Sequence, residues 1–223
     1  MTQHLQREIE KLKKSILALG TMVEESLRKS VRAFSQRDSA MAREVIDNDS
    51  VIDQMEVELE EDCLKILALH QPVAIDLRFI ISVLKINNDL ERIGDLASNI
   101  AERAEFLATQ VPVAVPDSIP RMAELVQVML KDSLDALVEM DTELARRVCD
   151  ADDEVDELHE GMYRIVRREI ESNPARIVEW IQLMGVSRYL ERVADHTTNI
   201  AEDVMYLVEG TIERHKKGGD ETK

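Results

Sequence analysis

Hydrophobic positions in the first half of the chain recur every three or four residues, which is the period of an amphipathic α-helix. The first stretch breaks near Asp38, and the second ends at Pro72, because proline disfavours helical conformation in the residue before it. A third stretch follows, and the pattern predicts three long helices in an antiparallel bundle. The apolar positions are Leu5, Ile9, Leu12, Ile16, Leu19, Val23, Leu27, Val31 and Phe34, then Val45, Ile52, Met55, Leu59, Cys63, Ile66 and Leu69, then Ile75, Leu77, Ile80, Leu84, Leu90, Ile93, Ala97, Ile100, Ala104 and Leu107.

The same order of elements returns in the second half. Residues 110–120 contain three prolines, which exclude a regular helix there and predict a linker. Asn173 and Pro174 predict the N-cap and first residue of the last helix. We therefore predict an all-α fold of two tandem repeats of an antiparallel three-helix bundle, with six long helices. The predicted units are residues 1–109 for the first repeat, 110–120 for the linker, 121–215 for the second repeat and 216–223 for a polar tail.

A segment of thirteen residues occurs twice in the chain. Residues 90–102 return as residues 190–202, and eight of the thirteen positions are identical. Glu91, Asp95 and Asn99 are four residues apart and therefore lie along one face of a helix. A duplicated polar stripe favours a shared function over chance. The equivalent positions of the second copy are Glu191, Asp195 and Asn199.

Two pairs of acids in the first half lie at equal distances from the turn at Pro72. Asp53 precedes Pro72 by 19 residues, and Glu91 follows it by 19. Asp49 and Asp95 are each 23 residues from it. In an antiparallel hairpin these four acids become level, about 28 Å from the turn. The corresponding acids of the second half are Asp156 and Glu191, at 18 and 17 residues from Pro174, with Asp152 and Asp195 one turn further away.

Four level carboxylates repel one another unless they are protonated or neutralised by a cation. Oxygen ligands suit hard ions such as Mg²⁺, Ca²⁺, Mn²⁺ or oxidised iron, and an asparagine can add a carbonyl ligand or orient a bound water. The alternative is a solvated acidic face paired to Arg92, Arg192 and Lys85. The predicted metal ligands are Asp49, Asp53, Glu91, Asp95 and Asn99 in the first half and Asp152, Asp156, Glu191, Asp195 and Asn199 in the second.

The sequence contains no motif that would supply a catalytic nucleophile. A carboxylate-bridged di-iron oxidase would carry a Glu-x-x-His on each of two helices. The nearest approach is the pair of Asp156 and His159, and the first half has Glu56 in place of the histidine. His196 follows Asp195 directly and points about 100° away from it, which favours a packed or exposed histidine over a ligand. A metalloenzyme, either an oxidase or a phosphohydrolase, and a passive helical scaffold remain alternatives.

The composition and net charge of the chain argue against some classes of binding partner. The 223 residues carry a net charge of −17 and 44% hydrophobic side chains. Such an acidic surface repels phosphate backbones, which argues against nucleic acid and anionic lipid as direct partners. No apolar run approaches the roughly 20 residues of a membrane span, and residues 1–14 lack a signal-peptide core, so we expect a cytoplasmic protein without membrane insertion. Cys63 and Cys149 are far apart in sequence, and we expect both to be buried and reduced.

The duplicated motif Leu-Glu-Arg-x-x-Asp is similar to a known family. It occurs in both three-helix repeats, and Gln-Pro-Val-Ala-Ile-Asp-Leu-Arg at residues 71–78 precedes its first copy. With these features the chain resembles the PhoU family, the accessory proteins of the bacterial phosphate-specific transport system, over roughly residues 5–212. The second repeat departs from the pattern, with Ser-Asn-Pro-Ala-Arg at residues 172–176.

The resemblance implies a non-catalytic, cytoplasmic regulator. It would act as a negative regulator of phosphate uptake and of the phosphate-starvation (Pho) regulon, between the transporter ATPase PstB and the sensor histidine kinase PhoR. Family members form homodimers and bind multinuclear metal clusters through E(D)xxxD motifs. The resemblance favours iron, with magnesium, manganese, calcium and zinc as further candidates. These motifs correspond here to Asp49, Asp53, Glu91 and Asp95 and to Asp152, Asp156, Glu191 and Asp195.

Overall fold

The computed structural model describes residues 3–210, which form six long α-helices and one 3₁₀ turn. The predicted tail, residues 216–223, lies outside the described residues, as do residues 211–215 at the end of the second repeat. No strand occurs in the part that the structure describes, so the predicted all-α class is confirmed. The elements are α1 Gln3–Gln36, α2 Ser39–His70, α3 Ala74–Thr109, α4 Ser118–Glu139, α5 Thr142–Ser172, the 3₁₀ turn Pro174–Arg176, and α6 Ile177–Glu209.

Equivalent turns connect the first two helices of each repeat. The Asp38 side chain accepts hydrogen bonds from the backbone N–H groups of Ala40 and Met41, and this N-cap starts α2. Asp141 starts α5 in the same way. The residue before each cap has a left-handed backbone, with φ of 55° at both Arg37 and Met140. The duplication therefore includes the turn geometry as well as the helices.

Two helix starts differ from the prediction. The predicted linker excluded a helix before residue 121, but α4 begins at Ser118, and Pro120 lies in its first turn. A proline is tolerated there because the first N–H groups of a helix have no partner within it. Pro174 starts the 3₁₀ turn, α6 begins at Ile177, and Asn173 makes no side-chain cap.

The predicted apolar stripes form the core, except at the ends of the helical hairpins. Leu12, Leu19 and Leu27 of α1 are almost completely buried. Leu69, by contrast, is 77% exposed, at the end of α2. Fewer helices remain to cover side chains at these ends, so periodicity alone overestimates their burial. Ile75 and Leu77, at the start of α3, are exposed as well. The same helical period predicts buried positions at Met140, Ile177 and Ile181 of the second repeat, and the structure exposes these too.

The two repeats meet where α3 packs antiparallel against α6. Lys85 of α3 forms an ion pair with Asp203 of α6, with 3.1 Å between Nζ and Oδ1. Towards the other ends of the two helices, Arg103 donates a hydrogen bond to the Tyr189 hydroxyl at 3.2 Å. Helices α1 and α4 also meet, at Gly20, where a Cβ would lie 2.9 Å from a methyl carbon of Leu134. The repeats therefore share one continuous core.

Both cysteines are free thiols. Cys63 is fully buried, as predicted, whereas Cys149 is only partly buried. Burial raises the pKa of the Cys63 thiol to about 12 and that of Cys149 to about 11. Both side chains are therefore protonated and unreactive at neutral pH. Among the described residues, none of the helices is both long and apolar enough to cross a membrane.

Replacing Lys85 with methionine is expected to lower the free energy of unfolding by about 2 kcal/mol, because the ion pair between Lys85 and the buried carboxylate of Asp203 is removed. Urea denaturation at neutral pH measures this change. The matched control is Lys65→Met, which removes ion pairs of an exposed lysine to Glu61 and Asp62 and should change stability by less than about 0.5 kcal/mol. Equal losses in both variants would show that the ion pair between α3 and α6 is not important for stability.

Candidate metal centre

The structure brings three predicted ligands of the first half together. Asp49 and Asp53 lie one turn apart on α2, and Asp95 lies on α3 beside them. Each offers a carboxylate oxygen, and these three oxygens lie within 4.8 Å of one another. The level placement predicted from distances to Pro72 is therefore correct for these residues. We call Asp49, Asp53, Glu91 and Asp95 the first cluster.

Glu91, the fourth member of the first cluster, feels the same charges. Burial raises its pKa above the ordinary value, and the carboxylates of Asp95 and Asp53 raise it further. Arg92 offsets part of this repulsion, at 3.5 Å from Glu91 and 3.4 Å from Asp95. A solvated acidic face would also pair these acids with Lys85, but the ion pair of Lys85 is with Asp203. The ion pairs of Arg92 therefore balance only part of the negative charge of the first cluster.

The second cluster consists of Asp152, Asp156, Glu191 and Asp195 on α5 and α6. Burial raises the pKa of Asp152 to about 7, and repulsion from Asp156 and Asp195 adds to the shift. The pKa values of Glu191 and Asp195 are also raised, in both cases by burial first. These acids interact, but within residues 3–210 only the first cluster has three ligand atoms inside 4.8 Å. The two predicted clusters are therefore similar in composition and different in geometry.

The hydroxyl groups of Ser98 and Thr198 occupy equivalent positions in the two repeats but have different hydrogen-bond partners. In the first repeat, Ser98 forms a hydrogen bond with Asp49, which lowers the pKa of that carboxyl against the effect of burial. In the second repeat, the Thr198 hydroxyl donates to the backbone oxygen of Asp195 at 2.7 Å. The buried Oδ1 of Asp152 has no hydrogen-bond partner among the described residues. This difference agrees with the larger pKa shift of Asp152.

The two predicted asparagine ligands also differ. The amide nitrogen of Asn99 donates to the backbone oxygen of Asp95 at 2.7 Å, beside the first cluster. The amide nitrogen of Asn199 donates to Asp89 of α3 at 3.1 Å. The side-chain oxygens of the two asparagines therefore remain as the possible ligands for a metal. Asn199 also helps to connect the repeats, which its position in the motif did not predict.

Sequence reasoning missed two acids beside the first cluster. Glu56 raises the pKa of Glu91, and Glu102 raises the pKa of Asp49. A signal for each exists in the sequence. Glu102 is one of the identical positions of the duplicated segment, and Glu56 lies three residues after Asp53, on the same face of α2.

The histidines near the clusters are engaged elsewhere. His159 is buried, and its Nδ1 lies 2.8 Å from the hydroxyl of Ser187. Burial lowers the pKa of His159, so the imidazole is neutral at pH 7. Nδ1 of His196 lies 2.8 Å from Asp89, which confirms a packed role for this side chain. The histidine of the single Asp-x-x-His in the sequence is therefore held by core contacts.

The donor set fits a hard cation. Both clusters consist of carboxylates, which are the ligands of magnesium, calcium, manganese and oxidised iron. The Oδ1 of Asp152 is buried without a hydrogen-bond partner among the described residues, and burial together with mutual repulsion raises the pKa of Glu91, Asp152 and Glu191, so the negative charge is only partly compensated. A bound cation would supply that compensation.

The fold defines a class of tandem three-helix proteins, and the comparisons with known proteins identify the family. The model of the PhoU domain matches twice, at residues 16–104 and 119–204. The chain is 40% identical over 210 residues to the "Phosphate-specific transport system accessory protein PhoU homolog" of Aquifex aeolicus, covering 94% of this chain and 95% of that protein. It is 38% identical to the homolog of the same name from Pseudomonas aeruginosa, covering 96% of this chain and 89% of that protein. The chain belongs to the PhoU family.

Solved structures agree with this membership. The crystal structure of PhoU from Pseudomonas aeruginosa superposes with a TM-score of 0.89 at 38% identity, covering 92% of this chain and 99% of the other. The "phosphate transport system regulatory protein PhoU" of Streptococcus pneumoniae superposes with a TM-score of 0.84 at 30% identity, covering 93% and 98%. The predicted architecture and the resemblance are therefore confirmed over nearly the whole chain.

Replacing Asp152 with asparagine is expected to stabilise the metal-free protein by about 1 kcal/mol at about pH 8. The folded state raises the pKa of this carboxyl from 3.8 to about 7, so the stability of the wild type falls as the pH rises between these values, and the full penalty is present above about pH 7. The gain should shrink as the pH falls from about 8 to about 5, because wild-type Asp152 is then protonated in the folded state. Urea denaturation at both pH values, with exposed Asp150→Asn on the same helix as control, measures the effect. A gain that is independent of pH would contradict this interpretation.

Proposed function

We propose that this protein is a cytoplasmic negative regulator of phosphate uptake and of the phosphate-starvation regulon. It acts as an adaptor between the phosphate transporter and its sensor histidine kinase, with PstB and PhoR as the partners and a homodimer as the working form. The role requires protein contact and metal binding and no chemical turnover.

The observation that carries this proposal is the full-length match to accessory proteins. The Aquifex aeolicus relative is aligned over 95% of its own length and 94% of this chain. The relatives are named as accessory proteins, and the Streptococcus pneumoniae structure is named as a regulatory protein. An accessory role in phosphate transport is therefore supported at the level of the family.

The metal proposal rests on the two clusters. Asp49, Asp53, Glu91 and Asp95 would hold one metal centre, and the equivalent acids of α5 and α6 would hold the other. Asn99 and Asn199 would support them through their side-chain oxygens. The resemblance to the PhoU family favours iron, and the carboxylate donor set suits magnesium, manganese and calcium as well, with zinc as a further candidate. The bound ions would offset the repulsion within each cluster and fix α2 to α3 and α5 to α6.

Affinity purification of the tagged protein from phosphate-replete cells is expected to recover PstB and PhoR. A parallel purification of an unrelated acidic tagged protein from the same cells is the control, because a net charge of −17 can attract basic proteins without specificity. Deleting the gene should also activate starvation-induced genes in phosphate-rich medium. Recovery of neither partner, together with normal repression in the deletion strain, would rule out the adaptor role.

Elemental analysis of the protein purified without chelator is expected to find stoichiometric metal in the wild type and less in the double variant Asp95→Ala with Asp195→Ala. Adding the identified ion should raise the melting temperature of the wild type only, because binding to the folded state alone stabilises it. The matched control replaces Asp47 and Asp150 with alanine, since these exposed acids lie on the same helices two residues from Asp49 and Asp152.

The same measurements test the two alternatives. A passive scaffold would contain almost no metal in either protein, even after reconstitution with iron, manganese and magnesium. A carboxylate-rich metalloenzyme would show turnover that depends on added metal and is lost in Glu91→Ala and Glu191→Ala. Metal without turnover favours the regulatory role.

A further inference from the structure

An apolar groove lies where the two repeats join, at the end of the molecule that contains the α2–α3 turn. Two adjoining cavities of about 450 and 230 Å³ form it, and they share Glu10, Lys13, Phe79 and Met140. The walls come from α1 and the start of α3 in the first repeat, and from the α4–α5 turn and the end of α6 in the second. The groove is therefore a feature of the assembled repeats, and neither repeat contains it alone.

The floor of the groove exposes more apolar surface than its surroundings require. Val138 is 57% exposed, Ile75 59% and Val208 42%. Met140, at the α4–α5 turn, is 38% exposed. Contiguous exposed apolar side chains of this kind mark surfaces that bind another molecule. The remaining apolar lining residues are Ile9, Ile16, Leu17, Phe79, Leu137 and Leu207.

One edge of the groove is basic in a protein whose net charge is −17. The wall of the groove and the surface beside it use residues Gln6 to Leu17 of α1. This stretch of twelve residues carries four cations, which are Arg7, Lys11, Lys13 and Lys14. Lys11 pairs with Asp62, 2.7 Å away, and Lys13 pairs with Glu10, 3.3 Å away. This edge is defined as the basic edge.

Two cations of the basic edge remain available to a ligand. Arg7 and Lys14 have no ion-pair partner among residues 3–210. Two acids also line the groove, Glu10 and Asp76. Glu10 is neutralised by Lys13, and Asp76 lies in the first turn of α3, where the helix dipole favours a negative charge. The charge offered to a ligand along α1 is therefore positive.

The length of the groove fits a helix of a partner protein. The wall from Gln6 to Leu17 is about 17 Å long at a rise of about 1.5 Å per residue, which is about three helical turns. Amphipathic helices bind such grooves through apolar side chains on one face. We propose that this groove binds an amphipathic helix of a partner protein, with acidic side chains of that helix facing the basic edge. This inference rests on the proposed adaptor function, because it assigns one protein contact to a defined surface.

A bound helix would contact both repeats at once. It would lie on α1 and α3 of the first repeat and on Met140 and Val208 of the second. Any shift of one repeat against the other would change the groove and therefore the affinity for the partner. Binding at this site would equally favour one arrangement of the repeats, because the coupling of two equilibria is reciprocal.

A pair of synthetic peptides tests the proposal with the intact protein. Each peptide has about 18 residues, with leucines at i, i+3, i+4 and i+7 so that they form one face of a helix. One carries glutamates on the remaining positions, and the other carries lysines. Fluorescence anisotropy should show saturable binding of the glutamate peptide and affinity for the lysine peptide that is weaker by at least about tenfold.

Two variants with matched controls locate the site. Replacing Arg7 and Lys14 with glutamate should weaken the glutamate peptide by at least about tenfold, whereas the same changes at exposed Arg147 and Arg164 of α5 should not. Val138→Asp should weaken it as well, whereas Val128→Asp on the same helix should not. Val138 and Val128 are 57% and 56% exposed, so neither change should affect folding. Thermal melting checks this for every variant.

The outcomes separate the groove from the adaptor role. Equal binding of both peptides, or no selective loss in the two variants, would overturn the proposed site. Dimer dissociation in Val138→Asp by sedimentation velocity would assign the groove to a second copy instead, and binding of phosphatidylglycerol vesicles that competes with the peptide would assign it to a membrane. If affinity purification recovers PstB and PhoR with the Arg7 and Lys14 variant as efficiently as with the wild type, the groove fails and the adaptor role remains. Peptide binding without recovery of either partner would keep the groove and overturn the adaptor role.

Discussion

The antiparallel packing of α3 against α6 is the contact on which the other features of this protein depend. Each of these helices is covered by the other two helices of its own repeat and by its counterpart in the other repeat. Asp203 is almost completely buried at this seam, and Lys85 balances its charge. Asp89 joins the repeats again through hydrogen bonds with His196 and Asn199. Since α3 and α6 also carry half of each acidic cluster, the seam determines where both clusters lie.

The carboxylates of the acidic clusters lower the stability of the metal-free fold and would favour the binding of a cation. Carboxylates that converge in partly buried positions repel one another, and burial raises the pKa of Asp49, Glu91, Asp152, Glu191 and Asp195. Without a cation, the fold must overcome this repulsion. A bound cation would be attracted by the same carboxylates, and its binding would stabilise the packing of the helices that carry them. Such a site suits a protein whose conformation responds to an ion.

The repeats have diverged while the packing between their helices has been preserved. A Cβ on Gly94 would lie 3.1 Å from a methyl carbon of Ile52, so the first repeat accommodates the larger isoleucine by having no side chain on α3. The second repeat has Val155 and Ala194 at the equivalent positions, which exchanges one methyl group for another. Such volume-conserving changes are tolerated best in a core. The differences between Ser98 and Thr198 act instead on the charges of the clusters, so the two halves need not have the same affinity for an ion.

Periodicity and duplication in the sequence determined the helical class, the repeat of three helices and the level placement of Asp49, Asp53 and Asp95, because all of these depend on local spacing along a helix. Spacing could not determine what lies opposite a residue in another repeat. The partners of Lys85 and Asn199, the exposure of Leu69 and the groove between the repeats were therefore decided by tertiary structure. The loss of a hydroxyl partner at Asp152 belongs to the same group, since a serine and a threonine at equivalent positions look interchangeable in sequence. The two hydroxyls point to different partners in the folded protein, and this direction is not visible in the sequence.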